Sequence, residues 1–145
     1  MGPAYAILIE HSGKRVLVQG STGFLPGPMR DIRADTVFLG LGGIMLTSDA
    51  YKNNYWCGVV EHVEAKQVFP IHWDSLTDDL AEKPQAPSAL FDTLGGVRTK
   101  DALKWVKQKG DEHGVPVALL PMWDKVDPFV YGLEHRCERT GRRCP

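Results

Sequence analysis

Two apolar segments with an amphipathic stretch between them constrain the fold of this chain more than any other feature. The segment "ADTVFLGLGG" (residues 34–43) is apolar almost without interruption, which is typical of a strand covered on both faces. "KQVFPIH" (residues 66–72) predicts a second strand of the same kind. Between them, apolar residues recur at helical spacing: Tyr51, Tyr55, Val59 and Val63, with Trp56 and Val60 beside them. The order strand, helix, strand indicates a βαβ crossover in a layered α/β domain.

A β-hairpin is predicted before the crossover. Residues 4–10 and 15–21 are apolar runs rich in β-branched side chains, and a short turn containing Ser12 and Gly13 separates them. The sheet therefore begins with an antiparallel pair and continues with the strands of the crossover.

A second helix and a last strand are predicted towards the C-terminal end. Thr99 is placed to cap a helix that Gly110 ends, and residues 115–120 form an apolar run. We expect a single domain over residues 1–145 that divides into four parts. These are a core over 1–80, a long loop over 81–98, the helix and last strand over 99–126, and a loose basic tail over 134–145.

Composition excludes several classes of protein. Hydrophobic residues make up 43% of the 145 residues, charged residues 24%, and the net charge is −1. The charge gives no reason to expect nucleic acid or an anionic membrane as partner. No apolar run approaches the roughly 20 residues that span a bilayer, and the first residues lack the basic start of a signal peptide. Cys57, Cys137 and Cys144 do not suggest a disulfide framework. We expect a soluble, cytoplasmic protein.

The stretch "VFPIHWDS" (residues 68–75) raises the question of function. Its apolar run ends in three side chains that carry chemistry, His72, Trp73 and Asp74, at the end of a predicted buried strand. Such residues either close a turn or belong to a metal site whose other members lie elsewhere.

Three segments in this order resemble the C-terminal half of the metallo-β-lactamase-fold hydrolases. They are "YAILIEHSGKRVLVQGSTGF", "ADTVFLGLGG" and "VFPIHWDS". The resemblance, in particular to bacterial hydrolases similar to ascorbate-phosphate lactonases, covers residues 4–80 closely and the remainder loosely. It implies an α/β fold that is half of an αββα sandwich, with a mixed sheet and flanking helices. It also implies metal ligands at strand ends, zinc or manganese as the metal, and hydrolysis of an ester, lactone, amide or phosphoester.

Most of the family's ligands are absent from this sequence. His72 matches the position of the family's final histidine ligand, whereas Ser21 stands where an aspartate usually bridges two metals. The family's His-x-His-x-Asp-His motif is missing, since no two of the five histidines are separated by a single residue. Catalytic zinc needs about three protein ligands and an open position for water. The resemblance therefore predicts one ligand, no catalytic residue of the chain's own, and the second half of a hydrolase without the first.

Each residue around His72 has a structural reading beside the functional one. His72 is either an inherited metal ligand or a histidine that hydrogen-bonds a loop. Asp74 either holds His72 in one tautomer or caps the turn or the next helix, and Trp73 either packs or stacks on substrate. Gly20 and Ser21 are expected to line the same site.

Two glycine-containing segments are similar to known functional motifs, but neither has the residues that its motif requires. "LGLGG" has Met45 where a dinucleotide fingerprint needs its third glycine, so we interpret Gly40 and Gly42 as a turn with close backbone approach. "QGSTG" has Gln19 in place of the first glycine of a nucleophile elbow. Cys57, inside the amphipathic stretch, is interpreted as a small packed side chain.

Two functions from different classes remain open. The first is a partial metal-dependent hydrolase that is active only if the missing ligands come from another chain. The second is a catalytically inactive fold remnant that acts as an interaction module and binds no metal. In both cases the missing half would leave an apolar sheet face uncovered. We therefore expect a homodimer in which a second copy takes the place of the missing half, or a separate partner chain in that position.

Overall fold

The computed structural model describes residues 5–74, 98–121 and 123–133. The predicted loop over 81–98, apart from Arg98, and the predicted tail over 134–145 lie outside the described residues. The chain is α/β with a mixed four-stranded sheet, as expected. The strands are β1 (Ala6–His11), β2 (Lys14–Gln19), β3 (Thr36–Gly40) and β4 (Gln67–Ile71).

Sheet order follows chain order. β1 and β2 are antiparallel and form the predicted hairpin, in which Ser12 (φ 50°) and Gly13 (φ 74°) make the turn. β3 runs parallel to both β2 and β4. The described strands therefore join a hairpin to a parallel pair, as the sequence pattern predicts.

The crossover between β3 and β4 carries the predicted helix, in two parts. A 3-10 turn (Ile44–Leu46) leads into α1 (Asp49–Trp56), where the Ser48 side chain accepts a hydrogen bond from the Tyr51 N–H as N-cap. A π-helical turn (Cys57–Glu61) continues α1. Gly58 allows this turn to approach the loop after β2, because a Cβ there would lie 2.7 Å from Phe24 Cε2.

The second helix is longer than predicted. α2 spans Thr99–His113 and ends at Gly114, which has φ 64°. Thr99 is the first helical residue and not the cap, which is Arg98 with φ 52° and no capping hydrogen bond from its side chain. Gly110 lies inside α2 and does not end it. The position has no room for a side chain, because a Cβ there would lie 2.5 Å from Val117 Cγ2 of the neighbouring segment.

The predicted last strand over 115–120 is reduced to one bridge. Val117 pairs in parallel with Val68 of β4, with hydrogen bonds from Val68 N to Pro116 O and from Ala118 N to Val68 O. The segment therefore lies beside β4 as expected, but the pairing stops before it becomes a regular strand.

The two faces of the sheet have different environments. On one face, Leu17, Val37 and Val68 stand in one row and pack with both helices in the core cluster. On the other face, residues 127–133 lie over the β3–β4 half and reach β2 at Lys14, whose ammonium lies 4.6 Å from the centre of the Phe129 ring. Gln67 Nε2 donates to Pro128 O at 2.6 Å, and the Tyr131 ring lies at a tilted angle to that of Phe69, with the ring centres 6.3 Å apart.

Beyond Lys14, the described residues give the β1–β2 half of this second face no such cover. We call it the open face; its residues are Ile7, Ile9, Val16 and Val18. Ile7 is 57% exposed and Ile9 51% exposed. Ile7 and Ile9 therefore leave part of an apolar sheet face in contact with water.

Candidate functional site

Three strands end at one edge of the sheet, and the predicted site residues follow two of these strands, β2 and β4. β2, β3 and β4 are mutually parallel, so their carboxyl ends lie side by side. In open α/β sheets, ligand sites form outside such carboxyl ends. We call this edge, with residues 20–22, 40–42 and 72–74, the strand-end site.

A buried tyrosine holds the first two strand ends together. The Tyr55 hydroxyl lies 2.8 Å from Gly40 O and 3.2 Å from Ser21 O, so it donates to the last residue of β3 and to the loop after β2. Burial raises the pKa of Tyr55, with a smaller contribution from Tyr51, and the hydroxyl stays protonated as a donor. Thr22 Oγ1 donates to Gly42 O at 2.9 Å and ties the same two loops together.

His72 follows β4 in a left-handed backbone conformation, with φ 55°, and its side chain is exposed. Its imidazole lies against the backbone of Gly42: a Cβ at residue 42 would meet His72 Cε1 at 2.7 Å and Nδ1 at 2.8 Å. Because Gly42 has no side chain, the His72 imidazole can occupy the space next to its backbone. The predicted close approach at Gly40 and Gly42 is present, and the approaching group at Gly42 is the side chain of His72.

Trp73 and Asp74 behave differently from each other. Trp73 is half-buried, packs against the core, and donates from Nε1 to Pro70 O at 3.2 Å, which fits a packing role. Asp74 is exposed. Within the described part of the chain no hydrogen bond joins Asp74 to His72, so its proposed role in fixing the His72 tautomer stays a prediction.

Ser21 and Gly20 lie at the end of β2 as expected. The Ser21 carbonyl accepts from Gln19 Nε2 at 2.8 Å, and the same amide donates to Gly23 O at 2.8 Å. Ser21 thus contributes its backbone to a tight turn. Gly20 is exposed, and a Cβ there would meet nothing within 4 Å.

The described residues do not form a complete metal cage. Across residues 5–74, 98–121 and 123–133, no group of three or more histidine, cysteine, aspartate or glutamate side chains lies close enough to hold an ion. The strand-end site offers His72 and, beside it in sequence, Asp74. This set is smaller than the roughly three protein ligands of a catalytic zinc.

The cysteine prediction needs a correction. Cys57 is disulfide-bonded. The sequence predicts a packed thiol, because three cysteines without regular spacing carry no pairing signal.

Comparisons of this chain with models of protein families, with curated proteins and with solved structures gave no match. Separately, the described part of the chain contains no helix with the length and apolar character needed to cross a membrane.

Proposed function

We propose that this chain is one half of a metallo-β-lactamase-type hydrolase, in which His72 supplies one metal ligand and a second polypeptide supplies the others. The observation that carries this proposal is the placement of His72 at the carboxyl end of β4, exposed and in a left-handed backbone conformation against Gly42. A left-handed conformation costs a non-glycine residue roughly 1–2 kcal/mol. Strain of this kind is concentrated at functional sites, where the geometry of one side chain matters.

In this proposal the other ligands come from a different polypeptide. A second copy of this chain would bring another His72 and Asp74, but no His-x-His-x-Asp-His segment, because the sequence has none. The open face gives such a partner a place to pack, since Ile7 and Ile9 are more than half exposed there. By the family resemblance the complete site would hold zinc or manganese and hydrolyse an ester, lactone, amide or phosphoester.

A second function is favoured by a different observation. Because the described residues hold no group of three metal-ligating side chains, the chain alone also fits an inactive fold remnant that binds a partner through the open face. In that case His72 would be a loop residue without a ligand.

The expected cytoplasmic location is also a proposal, and one observation counts against it. Cys57 is disulfide-bonded, and disulfides persist mainly in oxidising compartments. Mass spectrometry of alkylated protein from its native compartment tests this: modification of Cys57 without prior reduction supports a reducing location, and protection of Cys57 contradicts it.

Zinc titration followed by NMR of the histidine side chains separates the two functions. If the chain is half of a hydrolase, zinc shifts the NMR signals of the His72 imidazole in the purified chain. The shift is weak because a single ligand binds zinc weakly, and His72→Ala abolishes it. His11→Ala is the matched control, because His11 is an exposed histidine at the hairpin turn, at the other end of β1 and β2. Zinc shifts that leave His72 unchanged, or that His11→Ala and His72→Ala reduce equally, would support the inactive remnant.

A further inference from the structure

β1 is an exposed edge strand without the usual protection against pairing. All six of its residues are exposed, and within the described sheet it pairs only with β2. Its register with β2 runs without a bulge from Ala6↔Gln19 to His11↔Lys14, and the strand contains no lysine or proline. Natural proteins use bulges, lysines and prolines to block edge-to-edge association. An apolar edge that lacks all three is a template for another strand.

The hairpin turn determines which backbone groups face outward. Ser12 and Gly13 both have positive φ, which is the geometry of a type I′ two-residue turn. Such a turn makes His11 and Lys14 a hydrogen-bonded pair, and hydrogen-bonded pairs then alternate along an antiparallel ladder. Three residues of β1 consequently point their N–H and C=O groups away from β2: Ala6, Leu8 and Glu10.

We propose that two copies of this chain associate through β1, with the strands antiparallel about a twofold axis at Leu8. The sequence around Leu8 is Ala-Ile-Leu-Ile-Glu, so the axis places each Leu8 opposite the other. It also places Ile7 opposite Ile9 of the second copy. The outward groups of the two strands then meet in about six hydrogen bonds, and the two sheets continue into one.

An apolar groove beside β1 accommodates the leucine of the second copy. The groove has a volume of about 590 Å³ and lies on the helix-facing side of β1, where Leu8, Leu17, Phe24 and Leu25 line it. Residues that stand opposite each other in an antiparallel pair project to the same face. Leu8 of the second copy therefore enters this groove, next to Leu25, which is 76% exposed in the single chain.

The charges near β1 are compatible with this pairing. Glu10 already forms an ion pair with Arg15 of its own chain at 2.7 Å. In the proposed register each Glu10 faces Ala6 of the second copy. The two Glu10 residues stand four positions apart along the ladder, roughly 13 Å, so no like charges face each other.

Analytical ultracentrifugation of the full chain over a range of micromolar concentrations tests the proposal. We expect a reversible dimer that Leu8→Lys weakens on the order of 100-fold, because two ammonium groups would then face each other in place of two leucines in the groove. Leu119→Lys is the matched control and is expected to leave the dimer unchanged. Leu119 is 45% exposed, close to the 41% of Leu8, but follows the segment that pairs with β4 at the other side of the sheet.

Leu8→Pro separates strand pairing from packing through the open face. Proline removes an N–H that points outward, so the ladder with β2 stays intact while the dimer is lost. Circular dichroism and cooperative thermal unfolding check that each variant is folded.

A dimer that survives Leu8→Pro, or that Leu119→Lys weakens as much as Leu8→Lys, would overturn the proposal. So would a monomer at every concentration, including one in which the Leu8 amide is protected from exchange by another part of the same chain. The proposal does not depend on metal binding, and zinc titration of His72 leaves it unaffected.

Discussion

At the scale of single residues, Gly42 decides where the His72 imidazole lies. A Cβ at residue 42 would come within 2.8 Å of two imidazole atoms, which is closer than nonbonded carbon and nitrogen atoms pack. We therefore expect Gly42→Ala to displace His72 and to weaken any zinc response of its imidazole by about tenfold or more, as for a lost supporting contact at a metal site. NMR titration of the histidine side chains measures this effect.

Gly20→Ala is the control for this substitution. Gly20 lies at the same edge of the sheet, yet a Cβ there would meet nothing within 4 Å. The His72 signals of Gly20→Ala should match those of the unmodified chain. If Gly42→Ala also leaves them unchanged, the contact between Gly42 and His72 does not position the imidazole.

The sequence identifies His72 as a candidate but not the residues that hold it. His72 stands out because a polar, metal-binding side chain directly follows a buried apolar strand. The contacts of Gly42 and Tyr55 with residues 72, 21 and 40 join positions 15 to 34 apart in sequence. Such contacts depend on the parallel arrangement of three strand ends, which periodicity alone does not specify.

At the scale of secondary-structure elements, Gly110 lets α2 lie close to the segment that pairs with β4. A Cβ at residue 110 would lie 2.5 Å from Val117 Cγ2 and 2.6 Å from Val115 O. Alanine favours a helix over glycine by about 1 kcal/mol, but overpacking a buried contact costs typically about 1–3 kcal/mol. Because one of the two atoms is backbone, we expect a net loss of roughly 1–2 kcal/mol in the free energy of unfolding of Gly110→Ala, measured by urea denaturation.

Lys104→Ala tests whether this loss comes from the contact. Lys104 is an exposed residue of α2, so its replacement should change stability by no more than about 0.5 kcal/mol. A Gly110→Ala variant that is more stable than the unmodified chain would show that helix propensity dominates here. The sequence predicts the end of α2 at Gly110 because glycine commonly ends helices. The packing reason for this glycine is visible only in the tertiary structure.

At the scale of the whole molecule, the sequence predicts the strands and the crossover well because they depend on local patterns. The hairpin, β3 and β4 follow from apolar runs and turn residues, and α1 follows from the four-residue spacing of its apolar residues. The apolar run over residues 115–120 predicts a longer last strand than the structure has, since its pairing with β4 is limited to Val117. Whether the sheet is half of an αββα sandwich remains a prediction, and the open face is the observation that supports it.

Asp35 joins the starts of three strands, and its carboxylate makes the stability of the whole sheet depend on pH. It accepts from Lys66 Nζ at 2.6 Å and from the Arg15 N–H at 2.9 Å, so it links β2, β3 and the residue before β4. The hydrogen bond from Lys66, followed by that from the Arg15 backbone, lowers the pKa of Asp35 below its ordinary value. A carboxyl group with a lowered folded-state pKa stabilises the fold above its unfolded-state pKa. This stabilisation is lost as the pH falls through the folded-state value.

Asp35→Asn should therefore reduce stability at neutral pH by about 0.5–1 kcal/mol, a small value because solvent screens a partly exposed pair. The difference from the unmodified chain should shrink as the pH is lowered below the ordinary aspartate range, where the Asp35 carboxyl becomes protonated as well. Urea denaturation at a series of pH values measures both effects. Asp49→Asn is the control. Lys52 lowers the pKa of Asp49 too, but the Asp49 carboxylate is fully exposed on the first turn of α1, and its ion pair with Lys52 lies within that one helix. A difference for Asp35→Asn that stays constant from neutral to acidic pH would show that the lost stability comes from packing and not from the charge of Asp35.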